Sequence, residues 1–249
     1  MHQLPLTSLL NHVFAGPVTA LLTALGVHPE HPTAPIPDHL AMQLLVFVIL
    51  ILFFVAVRAS LSVENPGTLQ HIMESVYNMM DAQSEEIIGP TSRRYLSYLI
   101  TLGLFILSCN LLGLIPFLES PTAVPVVPLG CAVVTWCYYQ AQGFRTNGAG
   151  YIKHFIGPIQ GWAPQVLVLE LLMFLIEVCS HLARMLSLTV RLFANMFAGD
   201  MVTLVFFSLI PIGVPVIFMI LHFGVSLIQT LIFVLLPMVY IGEAVAHEH

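Results

Sequence analysis

The chain has 249 residues, of which 58% are hydrophobic and 8% charged, with mean hydropathy +0.93 and net charge −6. A soluble domain carries roughly a quarter charged residues, so this composition excludes one. Seven basic residues form no basic footprint, which excludes nucleic-acid binding.

The acidic residues are scattered and form no tail. The N-terminus lacks the basic region and small-residue cleavage site of a signal peptide and the Arg-rich pattern of a transit peptide. Cys109, Cys131, Cys137 and Cys179 lie in apolar stretches without CxxC spacing and read as buried free thiols. No internal repeat is visible, and residues 1–249 read as a single membrane domain: an N-terminal segment over 1–38 and a helical bundle over 39–249.

In chain order, residues 4–26 hold apolar runs broken by Asn11, His12, Gly16 and Pro17, which fits a segment lying at the interface. Residues 28–38 are rich in proline and form an extended loop. Residues 40–57 make the first clear span, ending at Arg58. Residues 65–88 place Leu69, Ile72, Met73, Val76 and Met80 at helical spacing, with Glu74, Asn78, Asp81 and Glu85 on the other face. This is an amphipathic surface helix. Residues 95–117 are the second span, closing on Asn110-Leu111-Leu112-Gly113-Leu114-Ile115-Pro116. Residues 123–141 are the third, with Pro125 and Pro128 at its start and Trp136, Tyr138 and Tyr139 near its end, an aromatic cluster suited to a membrane interface.

Residues 165–198 contain neither Gly nor Pro, and Pro164 suits the first turn of a helix. Read as one helix, 166–210 is about 68 Å long against a hydrocarbon core of about 30 Å, so it lies steeply inclined or breaks. Residues 213–240 form the last span, long enough to tilt. The fold class is thus all-α and polytopic: about five membrane-embedded helices, two of them long, plus one interfacial amphipathic helix.

Basic residues set the orientation. With the first span ending inside at Arg58, residues Arg93, Arg94, Arg145 and Lys153 share that side. The N-terminal segment, the loop after Pro116 and the turn near Pro211 carry no Lys or Arg. The N-terminus is outside and the C-terminus cytoplasmic.

Arg184 and Arg191 remain, both inside the long apolar helix. A charge at that depth costs about 2.5–3.5 kcal/mol on insertion scales and marks function by default. Glu177, His181, Arg184, Arg191 and Asn195 recur at threes and fours on one stripe; the alternative is a set of internal ion pairs holding helices together. Asp200, nine residues past Arg191, falls about 180° round the helix and faces a neighbouring helix. His222, Ser226 and Gln229 form a second stripe on the last span, although a lone His there also reads as a satisfied core residue. In this orientation Glu177 and His181 lie toward the cytoplasm, Arg191 and Gln229 mid-membrane, and Asp200 and His222 toward the outside. Chains of Asp, Glu and His in membranes are proton relays, and an Arg between them cannot release its proton. The pattern describes two half-paths with a barrier between.

At these residues the chain resembles subunit a of F-type ATP synthases. Residues 187–200, Ser-Leu-Thr-Val-Arg-Leu-Phe-Ala-Asn-Met-Phe-Ala-Gly-Asp, are similar to the family's most specific motif, with Arg191 at its essential arginine. Asn110 to Pro116 is similar to its asparagine-to-proline motif, His222 and Gln229 fall at its positions in the last helix, and the Glu248-His249 ending is also similar. The resemblance implies two long inclined helices against a ring of c subunits, each with a carboxylate that Arg191 meets as the ring turns. It implies Asp200 and His222 in the outer half-channel, and Glu177, Ser180, His181 and Arg184 in the inner one. Asn195 and Gln229 become polar neighbours of Arg191. It further implies b-type peripheral stalk partners, a bacterial inner membrane, no catalysis by the chain alone, and no cofactor or metal. Departures are Asp200 where many members have Glu, Arg184 where some have Lys, and Gly113 where some are acidic, which leaves a third outer-path group open, with Glu119 a candidate for it. A secondary transporter fits less well, lacking repeats and helix breaks at the site. A metalloenzyme lacks HExxH, His247 and His249 reading as solvated, and a purely structural subunit has no need of a mid-membrane Arg.

Overall fold

The computed structural model describes residues 4–24, 34–62, 66–115, 118–151, 164–210 and 213–245, and the regular elements among them are all helical. Lys153, Pro116, Pro211, residues 28–33, His247, Glu248 and His249, which the sequence reading used, lie outside the described residues.

Among the described residues seven α-helices follow one another: α1 (Pro5–Ala24), α2 (Asp38–Ser60), α3 (Thr68–Ile88), α4 (Arg93–Leu112), α5 (Val126–Asn147), α6 (Pro164–Leu209) and α7 (Val214–Val245). Short 3₁₀ turns at Pro121–Ala123 and Gly148–Gly150 flank α5. Helix α2 carries Asp38 in its first turn and Arg58 in its last, the charge order that the helix dipole favours. Pro164 opens α6, where a missing N–H costs nothing. Gly213 supplies the positive φ of 86° before α7 starts.

By length and apolarity, five of these helices suffice to cross a bilayer: α1, α2, α4, α6 from Leu169, and α7. The expected number therefore holds, but α1 enters the set and α5, read as the third span, does not. Helix α5 is more polar because Thr135, Tyr139 and Gln140 make side-chain bonds inside the protein, to Tyr98, His181 and Tyr151 respectively.

Helix α6 is unbroken over 46 residues, about 69 Å at 1.5 Å per residue, which removes the alternative of a break. Helix α4 stops at Leu112, short of the expected 117, because tight turns follow in which Leu114 and Ile115 donate to the carbonyls of Leu111 and Leu112. Helix α7 runs five residues past the expected Tyr240. The four cysteines are free, but only Cys109 is buried, while Cys137 and Cys179 are exposed. In a lipid solvent an apolar side chain gains nothing from protein burial over lipid contact. Tyr139, expected in an aromatic belt, is instead buried.

The described chain groups into two compact units that interleave along the sequence. The first holds Met1–Ile72, Leu104–Val127 and Phe193–Thr230. Its core is Met42 and Val46 of α2 against Cys109 and Leu112 of α4, with Leu45, Phe105 and Leu118 packed around. Asn11 on α1 is satisfied by both backbone groups of Ile36, at 3.1 and 3.0 Å. The second unit holds Met73–Gly103, Pro128–Leu192 and Leu231–His249. Its core is Tyr95, Leu96 and Leu99 of α4, Tyr139 of α5, Val234, Met238 and Ile241 of α7, and Met80 of α3. Met80 and Ser84 mark the buried face of α3 while Glu74, Glu85 and Glu86 are exposed, as its amphipathic pattern requires. Asp81 pairs with Arg93 at 3.3 Å.

The loop after α4 folds back over Gly113, where an added Cβ would lie 2.8 Å from the Ser120 Cβ. Gly113→Ala is therefore expected to destabilise the chain by about 1–3 kcal/mol through overpacking. Gly130→Ala, at a helical site with nothing within 4 Å, is expected to leave stability unchanged or raised by about 0.5–1 kcal/mol. Thermal unfolding of the two purified variants in detergent checks the contrast.

Candidate functional site

In the first unit the polar side chains of α6, α7 and α4 converge. Asp200 Oδ1 lies 3.6 Å from His222 Nδ1, within ion-pair reach when the imidazole is protonated. His222 is buried, and Gly199 makes room for its ring: a Cβ there would sit 2.9 Å from His222 Cε1 and Nδ1. One turn and two turns further along α7, Ser226 and Gln229 are also buried. Asn195 Nδ2 donates to Gln229 Oε1 at 2.7 Å. His222 Nε2 and Gln229 Nε2 are buried without a protein partner among the described residues. Such groups cost free energy unless something else meets them.

A hydroxyl and amide chain continues from this cluster. Thr230 and Ser226 each donate to the carbonyl four residues back, at 2.8 Å. Asn110 Nδ2 reaches Thr230 Oγ1 at 3.4 Å, Thr122 donates to Asn110 Oδ1 at 2.7 Å, and the Ser120 and Thr122 hydroxyls lie 2.7 Å apart. The single Ser120 proton faces both Thr122 Oγ1 and the Cys109 carbonyl, the latter at 3.2 Å.

In the second unit the lower half of α6 meets α5 and α7. Glu177 Oε1 is 3.3 Å from the Nε2 of His181, one turn on. The other ring nitrogen of His181, Nδ1, lies 2.8 Å from the Tyr139 hydroxyl. Arg184 donates to Glu243 Oε2 at 2.6 Å and lies over the Tyr240 ring, 5.0 Å from its centroid. Ser180 is half-buried and makes no side-chain bond to this cluster among the described residues. Arg191 is half-buried, and among the described residues its guanidinium reaches only its own helix, 3.5 Å from Ser187 Oγ, at the limit of a hydrogen bond. No carboxylate lies within ion-pair distance of Arg191 among the described residues.

The two intramembrane arginines thus differ. Arg184 has an ion pair within the chain, with Glu243; for Arg191 nothing among the described residues supplies one. Asp200 meets His222 across two helices, and Glu177 and His181 meet along one. Sequence reasoning missed Glu243, Tyr139, Asn110 as a bonding partner, and Thr230. Glu243 is 59 positions from Arg184 and Thr230 is 120 from Asn110; their only local signal was polarity inside an apolar run. Chemically, each cluster pairs a carboxylate with an imidazole, two side chains able to pass a proton between them. Among the described residues no three His, Cys, Asp or Glu side chains converge as metal ligands would.

The family described as ATP synthase A chain matches residues 40–242. Curated proteins named ATP synthase subunit a are similar to this chain along most of its length. The one from Koribacter versatilis is 57% identical over 249 residues, covering 100% of this chain and 99% of its own. That of Solibacter usitatus is 46% identical over 96% of this chain and 99% of its own. That of a Sulfurihydrogenibium species is 36% identical over 85% and 99%.

The packing of His222 on Gly199 yields a stability test. Gly199→Ala pushes the ring off its position and is expected to cost about 1–3 kcal/mol. In a His222→Ala background the same change should cost close to nothing, because the clashing ring is gone. A double-mutant cycle on the thermal unfolding of the purified chain reads this coupling.

Proposed function

Since the chain belongs to the ATP synthase subunit a family, we propose that it is the stator subunit that carries protons to and from a rotating c-subunit ring. It is a multi-pass membrane protein of the ATP synthase complex. It performs no catalysis alone: b-type stalk subunits hold it fixed while the ring turns, in a bacterial inner membrane.

One observation carries the reading: a half-buried arginine midway along an apolar helix without a carboxylate partner among the described residues. A membrane helix that holds such a charge needs an anion from elsewhere, and a ring carboxylate fits. Exposed small or apolar side chains flank Arg191 on α6, among them Ser187, Val190 and Ala194, so another helix can approach closely.

The mechanism follows from charge and position. With basic loops inside, α6 runs from the cytoplasm outward and α7 returns. Asp200 and His222 then serve the outer half-path; Glu177, Ser180, His181 and Arg184 line the inner one; Asn195 and Gln229 are polar neighbours of Arg191. A proton enters through one half-path and neutralises a ring carboxylate, which can then move into lipid. After a near-complete turn it meets the other half-path and loses its proton. Arg191 stays protonated at any working pH and favours the carboxylate as the anion. At an effective dielectric near 20, charges about 4 Å apart attract by roughly 4 kcal/mol. That drives proton release, yet the next proton can overcome it. The buried Nε2 atoms of His222 and Gln229 are polar groups that a hydrated outer path would satisfy.

Two measurements test this. In a cysteine-free background, a cysteine near Arg94 should react with impermeant reagent only from the cytoplasmic face, and one near Glu119 only from outside. Labelling of both from one face refutes the orientation. In vesicles holding the assembled complex, Arg191→Ala should abolish coupled ATP synthesis and raise passive proton leak; Arg191→Lys should also fail, because an ammonium is no rigid fork and loses its proton when buried. Normal synthesis by the alanine variant removes Arg191 from the mechanism.

A further inference from the structure

In the second unit three titratable side chains stand in line. Tyr139 is buried at 2% exposure, its hydroxyl 2.8 Å from His181 Nδ1. His181 is buried as well, and its Nε2 lies 3.3 Å from Glu177, whose side chain is 29% exposed. The line therefore leads from an enclosed phenol through an imidazole to a carboxylate that reaches the surface of the unit.

Helices α5, α6 and α7 all contribute groups around it. From α6 come Glu177 and Arg184; from α7 come Tyr240, 5.8 Å from the Tyr139 ring, and Glu243, which holds Arg184. From α5 comes Tyr139 itself, with the Tyr151 hydroxyl bonded to Gln140 nearby. Because Arg184 is engaged by Glu243, its charge is spoken for by a carboxylate other than Glu177.

A histidine that exchanges a proton changes the polarity of a ring nitrogen. In the neutral form with Nε2–H toward Glu177, Nδ1 is an acceptor. In the imidazolium, and in the other neutral tautomer, Nδ1 is a donor. A buried partner that only accepts or only donates would leave one form unsatisfied, at about 1–3 kcal/mol. A phenol does both: it donates to the bare nitrogen and accepts from the protonated one. By rotating its O–H, Tyr139 can stay bonded to His181 through the whole exchange, while Glu177 takes or gives the proton at Nε2.

We propose that Tyr139 is a positioning residue for proton transfer in the inner half-path, holding His181 against Glu177 in both protonation states so that His181 exchanges protons with the cytoplasm. This rests on the half-path reading above. The proton passes between the Glu177 carboxyl group and His181 and none is consumed.

The test uses vesicles holding the assembled complex. ATP-driven proton uptake, normalised to uncoupled ATP hydrolysis, is followed as the pH on the ATP side is stepped from about 5 to 8. The unmutated complex is expected to show an inflection in the histidine range. Tyr139→Phe keeps the ring packing and removes the hydroxyl. Its normalised pumping should fall about three- to tenfold and its inflection move to lower pH by half a unit or more, since the phenol oxygen no longer accepts from the charged Nδ1–H. His181→Gln, whose amide bonds both neighbours but does not titrate, should pump no better than Tyr139→Phe and show no inflection in its residual activity. A Tyr139→Phe profile that superimposes on the unmutated one overturns the proposal. So does an inflection retained in His181→Gln, an arm that still decides if Tyr139→Phe fails to assemble. If Arg191 proves essential while these profiles do not move, only this inference falls; if Arg191 proves dispensable, the half-path reading falls first.

Discussion

A charge in hydrocarbon must be answered by another charge or by water, and this protein answers its two intramembrane arginines differently. Arg184 is answered within the chain, by Glu243 at 2.6 Å and by the face of Tyr240. Arg191 has no such answer among the described residues, and its guanidinium reaches only Ser187. Insertion scales put the cost of such a residue at about 2.5–3.5 kcal/mol. A chain gains nothing structurally by keeping it unless a partner supplies the anion. The proposed encounter with a mobile ring carboxylate follows from that requirement.

The polar groups of the first unit obey the same rule in milder form. Hydroxyls that would be costly alone in lipid are satisfied by carbonyls one turn back on their own helix, as at Ser226 and Thr230, or by one another, as at Ser120, Thr122 and Asn110. Two glycines make this compactness possible. Gly113 lets the loop carrying Ser120 fold onto α4, and Gly199 lets the His222 ring pack onto α6 beside Asp200. Neither glycine is needed for its backbone angles; both are needed because a Cβ would occupy space that a neighbour already fills.

Much of this was legible in the sequence for a clear reason. Apolar runs of membrane length, the amphipathic period of α3 and the mid-helix Arg191 are local properties, and lipid enforces them locally because backbone hydrogen bonds must close within each helix. The threefold and fourfold spacing that put Glu177, His181 and Arg184 on one stripe is likewise helix geometry, which no partner can alter. The 57% identical relative agrees with the resemblance carried by residues 187–200.

What the tertiary structure decided is which faces meet. A helix that is apolar nearly all round has no polar side to say which face turns inward, so nothing along α7 announced that Glu243 reaches Arg184 or that Thr230 receives Asn110. Tyr139 was read as a belt residue because aromatic rings at a span's end usually anchor there; packing against His181 made it part of the interior instead. The division of the two arginines, one paired and one without a carboxylate partner among the described residues, was equally out of reach, since both sit in the same helix at the same period. The sequence by itself determined where the long helices lie and which residues are able to carry charge. Only the packed fold determined which of those polar and charged groups are already spent, because that depends on contacts between segments 42 to 120 residues apart.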